Sequence, residues 1–351
     1  MSPLQRVCFT LGVMGLVAAV PVPSFAQSGY LTNGVEYAPA GNLPGDQIHP
    51  ALALTPGGGW IVWDDNITDT DGQGISAQLL DSTFSPTLGI IHLNQTSAGD
   101  QEKPQVAILK GGGKIAVWQG GKQGFQHIYG AFLASNNVLL NSSDVMINTA
   151  TNVYQTGAAI AALSNGNAVV AWSSFGQDNA DGLQGVYAQV MSPAGQKVGG
   201  EFQVNQFTPF NQRTPAVAAF PNGNFIIAWV SEQQRASLVV ANDGQGTISA
   251  ANISVDIYAR EFDPNGNPLT GEFLVNTDNN VCANPAVATA SDGSFTIVWG
   301  GKSPTPSNNS WDIYSRQFTS PTSGAAVQLV NSQLYGDQYN PHIAALGTDY
   351  L

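Results

Sequence analysis

The sequence has 351 residues, of which only 10% are charged, and a formal net charge of −13 at pH 7. Its hydrophobic fraction of 43% is ordinary for a packed protein and too high for a disordered chain. Nucleic acid and anionic membrane surfaces are disfavoured as partners, because both are bound through clustered lysine and arginine. Low charge combined with 39 glycines and 20 prolines is typical of a sheet protein with many turns.

The first 26 residues are predicted to be an export signal. Arg6 precedes an apolar run from Val7 to Val20, and Ser24-Phe25-Ala26 supplies small residues for cleavage after Ala26. The run is short for a membrane span, and no second one follows, so we expect no membrane insertion. The mature chain is expected to be secreted, periplasmic or on the cell surface. It keeps one cysteine, Cys282, which we expect to be a small buried residue.

A repeat centred on tryptophan organises the rest of the chain. Successive repeated tryptophans are 55, 54, 57 and 70 residues apart, and a glycine stands six residues before each one. Asn-Gly or Asp-Gly at this point in three units, between two apolar runs, predicts a β-hairpin. The five segments are Pro50–Trp63, Pro104–Trp118, Ala158–Trp172, Pro215–Trp229 and Pro285–Trp299.

Two further apolar runs complete each unit. One follows a variable loop after the tryptophan, and the other closes on an asparagine. Four short strands in a period near 55 residues predict an all-β fold, a β-propeller of five complete four-stranded blades plus an incomplete sixth. Because every blade buries both faces, the repeated tryptophans are predicted to pack between blades. The closing asparagines are Asn94, Asn148, Asn205, Asn276 and Asn331.

Both ends of the repeat domain, residues 27–351, resemble parts of one incomplete blade. Gly34 to Tyr37 matches a fourth strand, and Gly336 to Leu346 begins a further unit. Either the two ends share a blade that closes the ring, or the sequence is a fragment of a longer array. The protein is accordingly expected to be a monomer or part of a longer chain.

The repeat resembles a known family. Its elements are Asp-Gln, Pro-x-Val-Ala, Asp/Asn-Gly, Val-Trp, Ile-Tyr-Ala-Arg/Gln and Phe-x-Val-Asn, over about residues 34 to 346. This pattern is similar to the Trp-containing propeller-like repeats of large secreted bacterial proteins, which often occur beside hemolysin-type calcium-binding or cadherin-like modules. The resemblance implies an architecture and a bacterial surface location. It carries no catalytic residue over to this chain.

The loops after two of the tryptophans are rich in acidic residues. Asp69 and Asp71 follow the first, with Asp64, Asp65 and Asn66 close by, and Asp178 and Asp181 follow the third. Such spacing resembles the start of a calcium loop, since calcium takes six to eight oxygen ligands. The favoured interpretation is a solvated turn, because no downstream glutamate completes the loop. No cofactor is predicted; calcium is the alternative, with Asp69, Asp71, Asp178 and Asp181 as its ligands.

Signals for an enzyme are weak. The sequence has no His-Glu-x-x-His, no Gly-x-Ser-x-Gly and no phosphate-binding glycine loop, and its four histidines are scattered. The longest loop, Val230 to Ser254, carries Glu232, Arg235 and Asp243 and is a candidate site by its length alone.

The sequence predicts an exported, non-catalytic propeller that serves as a binding or structural module for protein or carbohydrate. The alternative is a glycan-processing hydrolase with a site in the central channel or on the loop-rich face. Two carboxylates brought together only by folding would perform this chemistry, and spacing in the sequence does not reveal them.

Overall fold

The computed structural model describes residues 38–87, 89–178, 183–233, 255–303 and 310–351. By its internal contacts the chain divides into residues 1–38 and 39–351, and the description below concerns the second unit. The predicted export signal and the strand-like segment 34–37 lie outside the described residues. Among the described residues, no helix is long and apolar enough to cross a membrane.

The regular elements of the described ranges are β-strands, which alternate with turns and longer loops. In chain order they are β1 (Gln47–Thr55), β2 (Gly58–Asp65), β3 (Gly74–Leu80), β4 (Ile91–His92), β5 (Asp100–Ile108), β6 (Lys114–Gly121), β7 (His127–Leu133), β8 (Val145–Met146), β9 (Gln155–Ala162), β10 (Ala168–Phe175), β11 (Gln184–Met191), β12 (Lys197–Gln203), β13 (Gln212–Ala219), β14 (Phe225–Ser231), β15 (Asp256–Phe262), β16 (Phe273–Leu274), β17 (Val281–Thr289), β18 (Phe295–Lys302), β19 (Trp311–Ser320), β20 (Ser323–Gly324), β21 (Gln328–Leu329), β22 (Ala345–Leu346) and β23 (Asp349–Tyr350).

The strands form consecutive antiparallel sheets, and the predicted all-β propeller fold is confirmed. Blades 1 to 4 are β1–β4, β5–β8, β9–β12 and β13–β16, each in chain order, and blade 5 is β17–β21. The first strands of consecutive blades contact one another, which places them innermost, around the propeller axis. β22 and β23 form a two-stranded hairpin beyond blade 5. The number of blades in the complete ring stays a prediction.

Apolar clusters hold consecutive blades together. Side chains alternate along each central strand, so one set faces the preceding blade and the other faces the following blade. Between blades 2 and 3, for example, Val117 and Phe132 pack against Val170 and Trp172. Equivalent clusters join blade 1 to 2, blade 3 to 4 and blade 4 to 5. Each blade is therefore stabilised by its neighbours on both faces.

The repeated tryptophans occupy equivalent buried positions, as predicted. Each lies on the second strand of its blade, opposite a third-strand residue, which is a tyrosine in blades 2 to 5. None of their side chains is more than 2% exposed, and four contribute to the clusters between blades. They are Trp63, Trp118, Trp172, Trp229 and Trp299.

Blade 1 differs from the others at its inner strand. β1 is exposed along most of its length, and its side chains Ile48, Leu52 and Leu54 are 40%, 53% and 47% exposed. None of the apolar clusters found among the described residues joins blade 1 to blade 5. The hairpin β22–β23 lies against blade 5, where Tyr350 Oη is hydrogen-bonded to Ser294 Oγ at 2.9 Å.

Replacing Trp172 by alanine is expected to lower the free energy of unfolding by about 3 to 5 kcal/mol, since it empties a fully buried aromatic site between blades 2 and 3. Urea unfolding followed by circular dichroism measures the change. Trp311→Ala is the control, because Trp311 is only half-buried at the start of β19, and its loss is expected to cost less. A loss below about 1 kcal/mol for Trp172→Ala would show that the packing between blades does not depend on this side chain.

Candidate functional site

Each first strand carries a β-bulge close to its start. The strand register shifts there, and the bulged residue takes a positive φ that residues other than glycine rarely adopt. Because the first strands surround the axis, these bulges form a ring at one edge of the propeller, here called the axial mouth. The bulged residues are His49 (φ 47°), Lys103 (φ 53°), Gly157 (φ 67°), Thr214 (φ 50°) and Asn284 (φ 50°).

In three blades, the side chain that follows the repeated tryptophan accepts a hydrogen bond from a bulge amide of the next blade. Gly157 N donates to Gln119 Oε1 at 3.0 Å, and Thr214 N donates to Ser173 Oγ at 3.0 Å. In the same way the amide of Lys103 bonds to the Asp64 carboxylate. A bulge frees a backbone amide from the strand ladder, and here a side chain of the preceding blade accepts its hydrogen bond.

Asp64 is the one acidic residue among these acceptors and has a second partner. Its carboxylate is fully buried, and both of its oxygens lie 3.1 Å from Nδ1 of His49, whose side chain is 45% exposed. Burial raises the pKa of Asp64, and the hydrogen bond and charge of His49 offset only part of this effect. With Nδ1–H donated to Asp64, the His49 ring has Nε2 as its remaining nitrogen for proton transfer.

Glu102 lies beside this pair. It immediately precedes Lys103, whose amide bonds to Asp64, and it is half-buried on the inner strand of blade 2. One of its oxygens accepts a hydrogen bond from Gln119 Nε2 at 3.0 Å. Asp64 thus links the first strand of blade 1, which carries the exposed His49, to the first strand of blade 2, which carries Glu102.

Blade 4 contributes an ion pair to the same edge. Arg213 precedes the bulged Thr214, and its Nη1 lies 3.0 Å from Glu232 Oε1, with side chains 32% and 10% exposed. Asn211 Nδ2 also approaches the Glu232 carboxylate at 3.4 Å. The sequence singled out Glu232 by the length of its loop, and the structure places it in this pair. Arg235 and Asp243 of that loop lie outside the described residues.

The predicted calcium ligands lie in two different blades. Asp69 Oδ2 accepts a hydrogen bond from Asn94 Nδ2 at 2.6 Å, and Asp71 Oδ2 accepts one from Gly99 N at 3.1 Å. Asp178 Oδ2 accepts from Asn205 Nδ2 at 3.2 Å, and burial raises the pKa of this aspartate. Asp181 lies outside the described residues. Within the described ranges, no group of three or more His, Cys, Asp or Glu side chains is arranged to hold a metal ion.

Asp69 and Asp178 belong to a feature of the repeat that the sequence analysis did not identify. In each blade the Oδ1 of the closing asparagine accepts the amide of a third-strand residue, which is an isoleucine or valine, at 2.7 to 2.9 Å. In four blades its Nδ2 also donates to an aspartate from the loop or strand that follows the tryptophan. These aspartates are Asp69, Asp178, Asp256 and Asp312.

The pH dependence of stability is expected to report the burial of Asp64. Because its pKa is raised in the folded state, the folded protein binds this proton more tightly than the unfolded chain does. The resulting stabilisation is complete below the ordinary aspartate pKa of about 4 and is lost as the pH rises through the raised pKa. Asp64→Asn, which cannot titrate, is expected to show a smaller fall of the unfolding free energy across that interval.

Urea unfolding at a series of pH values measures this difference. Asp349→Asn is the matched control, because Asp349 is exposed in the hairpin β22–β23, and we expect it to leave the pH dependence unchanged. Identical pH profiles for the wild type and Asp64→Asn would contradict a raised pKa at Asp64.

Calcium at millimolar concentration is expected to raise the melting temperature, if Asp69 and Asp71 bind it as in the alternative interpretation of the sequence. Binding to the folded state alone contributes about 2.7 kcal/mol at a hundredfold excess over Kd. Asp71→Asn should reduce the effect, because it removes a charged ligand while leaving an oxygen that accepts the Gly99 amide. Identical melts in calcium and in chelator would contradict the calcium prediction.

Comparisons with protein-family models and with curated protein sequences gave no match. Solved structures do resemble the fold. The polysaccharide lyase ulvan lyase of family PL25, bound to -[GlcA(1-4)Rha3S]-, aligns with TM-score 0.53 and 11% identity over 82% of this chain and 72% of its own. The GH93 α-L-arabinofuranosidase of Fusarium graminearum with arabinobiose gives 0.53 and 11% over 85% and 84%. The α-L-arabinanase of Penicillium chrysogenum with arabinobiose gives 0.52 and 13% over 86% of each chain.

These comparisons correct the main functional prediction. A non-catalytic module was predicted, whereas these three solved structures, which share the fold over more than four fifths of the chain, are glycan-processing enzymes. The repeated residues determine the propeller scaffold, and the same scaffold forms whether or not a catalytic site lies at its axis. Sequence identities of 11 to 13% establish a shared fold only. Any chemistry of this chain depends on its own residues at the axial mouth.

Proposed function

We propose that this chain is a glycan-processing hydrolase whose active site is the axial mouth. In this proposal His49 and Glu102 are the catalytic residues, and Asp64 is a positioning residue that acts through His49. The proposal rests on the buried carboxylate of Asp64. This one group is hydrogen-bonded both to His49 and to the backbone amide of Lys103, the residue after Glu102.

The electrostatics of the site support this assignment. Asp64 is fully buried, and both of its carboxylate oxygens lie 3.1 Å from Nδ1 of His49, which fixes the orientation of the ring. His49 is partly exposed, as a group that transfers protons to a substrate must be. Only 10% of the residues are charged, which makes this concentration of titratable groups around one channel unusual for the chain.

The proposed reaction needs one proton donor and one acceptor. His49 Nε2–H donates a proton to the glycosidic oxygen as the bond from that oxygen to the anomeric carbon breaks. Glu102 accepts a proton from water while the water oxygen bonds to the anomeric carbon. The products are two shorter sugars, and the proton on Glu102 returns through solvent to His49.

The strained bulge serves this chemistry. His49 and Lys103 both hold positive φ values, and such strain persists only where the surrounding structure fixes it. The hydrogen bonds from His49 and from the Lys103 amide to Asp64 supply that restraint. The catalytic side chains are then oriented before the substrate binds. Because the entropy of ordering them is lost on folding, it does not add to the activation free energy of the reaction.

Export is part of the proposal. It is supported by the charged start, apolar run and small-residue ending of residues 1–26. An exported hydrolase would meet polymeric glycans outside the cell, and the open, polar axial mouth is suited to an extended neutral or acidic chain.

Glu102→Gln is expected to lower kcat by about 10²- to 10⁴-fold on whichever polysaccharide the wild type cleaves, because it removes the proton acceptor and keeps the shape. Reducing-end release from a panel of plant and algal polysaccharides gives the rate. Reaction in isotope-labelled water tests the mechanism, since hydrolysis incorporates one labelled oxygen per cleavage and elimination incorporates none.

Glu261→Gln is the matched control. Glu261 is also a half-buried glutamate that accepts one amide hydrogen bond, from Asn224 Nδ2 at 3.0 Å, and it lies on β15 near the opposite edge of the propeller. We expect this variant to keep the wild-type rate. A Glu102→Gln variant as active as the wild type, or products free of solvent oxygen, would contradict the assignment.

A further inference from the structure

A second concave site lies between blades 1 and 2, at the edge of the propeller opposite the axial mouth. Its cavity has a volume of about 510 Å³ and is lined by the glycine-rich turn of blade 1, the first residues of β6 and the ends of β3 and β5. Leu79 and Leu109 supply apolar walls, and Lys114 supplies a charged hydrogen-bond donor. This volume lies within the range of cavities that bind small molecules.

Lys114 brings a positive charge to this cavity without a carboxylate to balance it. The residue is only 8% exposed, and its Nζ donates to Ser135 O at 3.1 Å and to Asn137 Oδ1 at 2.5 Å. In the described part of the chain, neither of the two ion pairs involves this lysine. Burial lowers the pKa of Lys114, which shows that the charge lacks full compensation.

Trp60 lies beneath Lys114. The Lys114 Nζ is 5.8 Å from the centroid of the Trp60 ring, so the ammonium rests on an aromatic face. Trp60 is fully buried in the apolar cluster between blades 1 and 2, and it therefore supports Lys114 without contacting a ligand in the cavity.

Both residues depart from the repeat. Trp60 lies three residues before the repeated tryptophan, where the other blades have Ile115, Val169, Ile226 and Thr296. Lys114 lies four residues before it, where the other blades have Gly59, Ala168, Phe225 and Phe295. The packing between blades requires neither a tryptophan nor a lysine at these positions, since it is achieved without them at the other junctions.

The acidic residue at the rim does not neutralise Lys114. Asp81 lines the cavity, but its Oδ1 accepts hydrogen bonds from Thr83 N, Thr83 Oγ1 and Ser85 N. Its carboxylate is thereby committed to its own turn. The available donor of the cavity is the charged ammonium of Lys114, which is suited to an oxygen-rich anion.

We propose that this cavity binds the carboxylate of an acidic sugar, a uronate unit of a glycan. The carboxylate pairs with Lys114, while the sugar ring lies against Leu79 and Leu109. The site is separate from the axial mouth and does not depend on its catalytic role. A chain that carries acidic sugars would be held at this edge of the molecule as well as at the axis.

Binding of D-glucuronate to the full-length protein tests the proposal, with D-glucose as the neutral counterpart of the same shape. Calorimetric titration at low salt is expected to give an affinity for glucuronate about tenfold or more above that for glucose, the factor that one charged hydrogen bond contributes. Added salt should weaken glucuronate binding and leave glucose unaffected. Equal affinities for the two sugars would overturn the proposal.

Lys114→Met keeps most of the side-chain volume, removes the charge and is expected to abolish the preference for glucuronate. Lys110→Met is the matched control, because Lys110 is exposed on the same hairpin of blade 2 and should leave binding unchanged. Hydrolase activity is measured separately on the same preparations, so that failure of the proposed hydrolase activity and failure of this site are distinguishable. Undiminished binding by a folded Lys114→Met protein would contradict the assignment.

A measurement on the wild type covers the case in which Lys114→Met does not fold. Nuclear magnetic resonance of the tryptophan indole N–H groups, with the Trp60 signal assigned through Trp60→Phe, is expected to show a shift of that signal on addition of glucuronate. A Trp60 signal that does not move at saturating glucuronate would overturn the proposal.

Discussion

A single sheet of this protein has two apolar faces, and it can bury them only against neighbouring sheets. This constraint explains the continuous apolar runs of the second and third strands and the apolar clusters between consecutive blades. The large indole of each repeated tryptophan fills the position where the blades diverge from the axis. Burial of this kind stabilises every blade through its neighbours, so the order of the blades along the chain is also their order around the axis.

The apolar packing between blades does not provide hydrogen-bond partners for the backbone amides at the inner edge, so polar side chains provide them. The bulges of the first strands release backbone amides, and side chains after the repeated tryptophans accept their hydrogen bonds. Gln119 and Ser173 perform this role as neutral acceptors, whereas Asp64 performs it as a buried carboxylate that also binds His49. In one blade the same structural position therefore carries a buried carboxylate instead of a neutral acceptor, through a change of side chain.

The two proposed sites follow from the same rule, which is that function is found where one blade departs from the others. At the axial mouth the departures are Asp64, His49 and Glu102, and at the opposite edge they are Trp60 and Lys114. A propeller can in this way hold a reactive centre and an accessory binding site on opposite edges of one rigid body.

The sequence by itself determined the strand content, the hairpins and the buried repeated tryptophans, because turn residues and apolar runs act locally and recur in every unit. It also indicated the closing asparagines but not their partners Asp256 and Asp312. Spacing gave no reason to join Asp64, His49 and Glu102, which lie up to 53 residues apart and are carried close to one another only because β1 and β5 are adjacent inner strands. The aspartates chosen as calcium ligands lie in separate blades, and a pattern along the chain does not show that their oxygens face amide donors. Local chemistry thus decided the fold, and the radial arrangement of the blades decided which side chains act together.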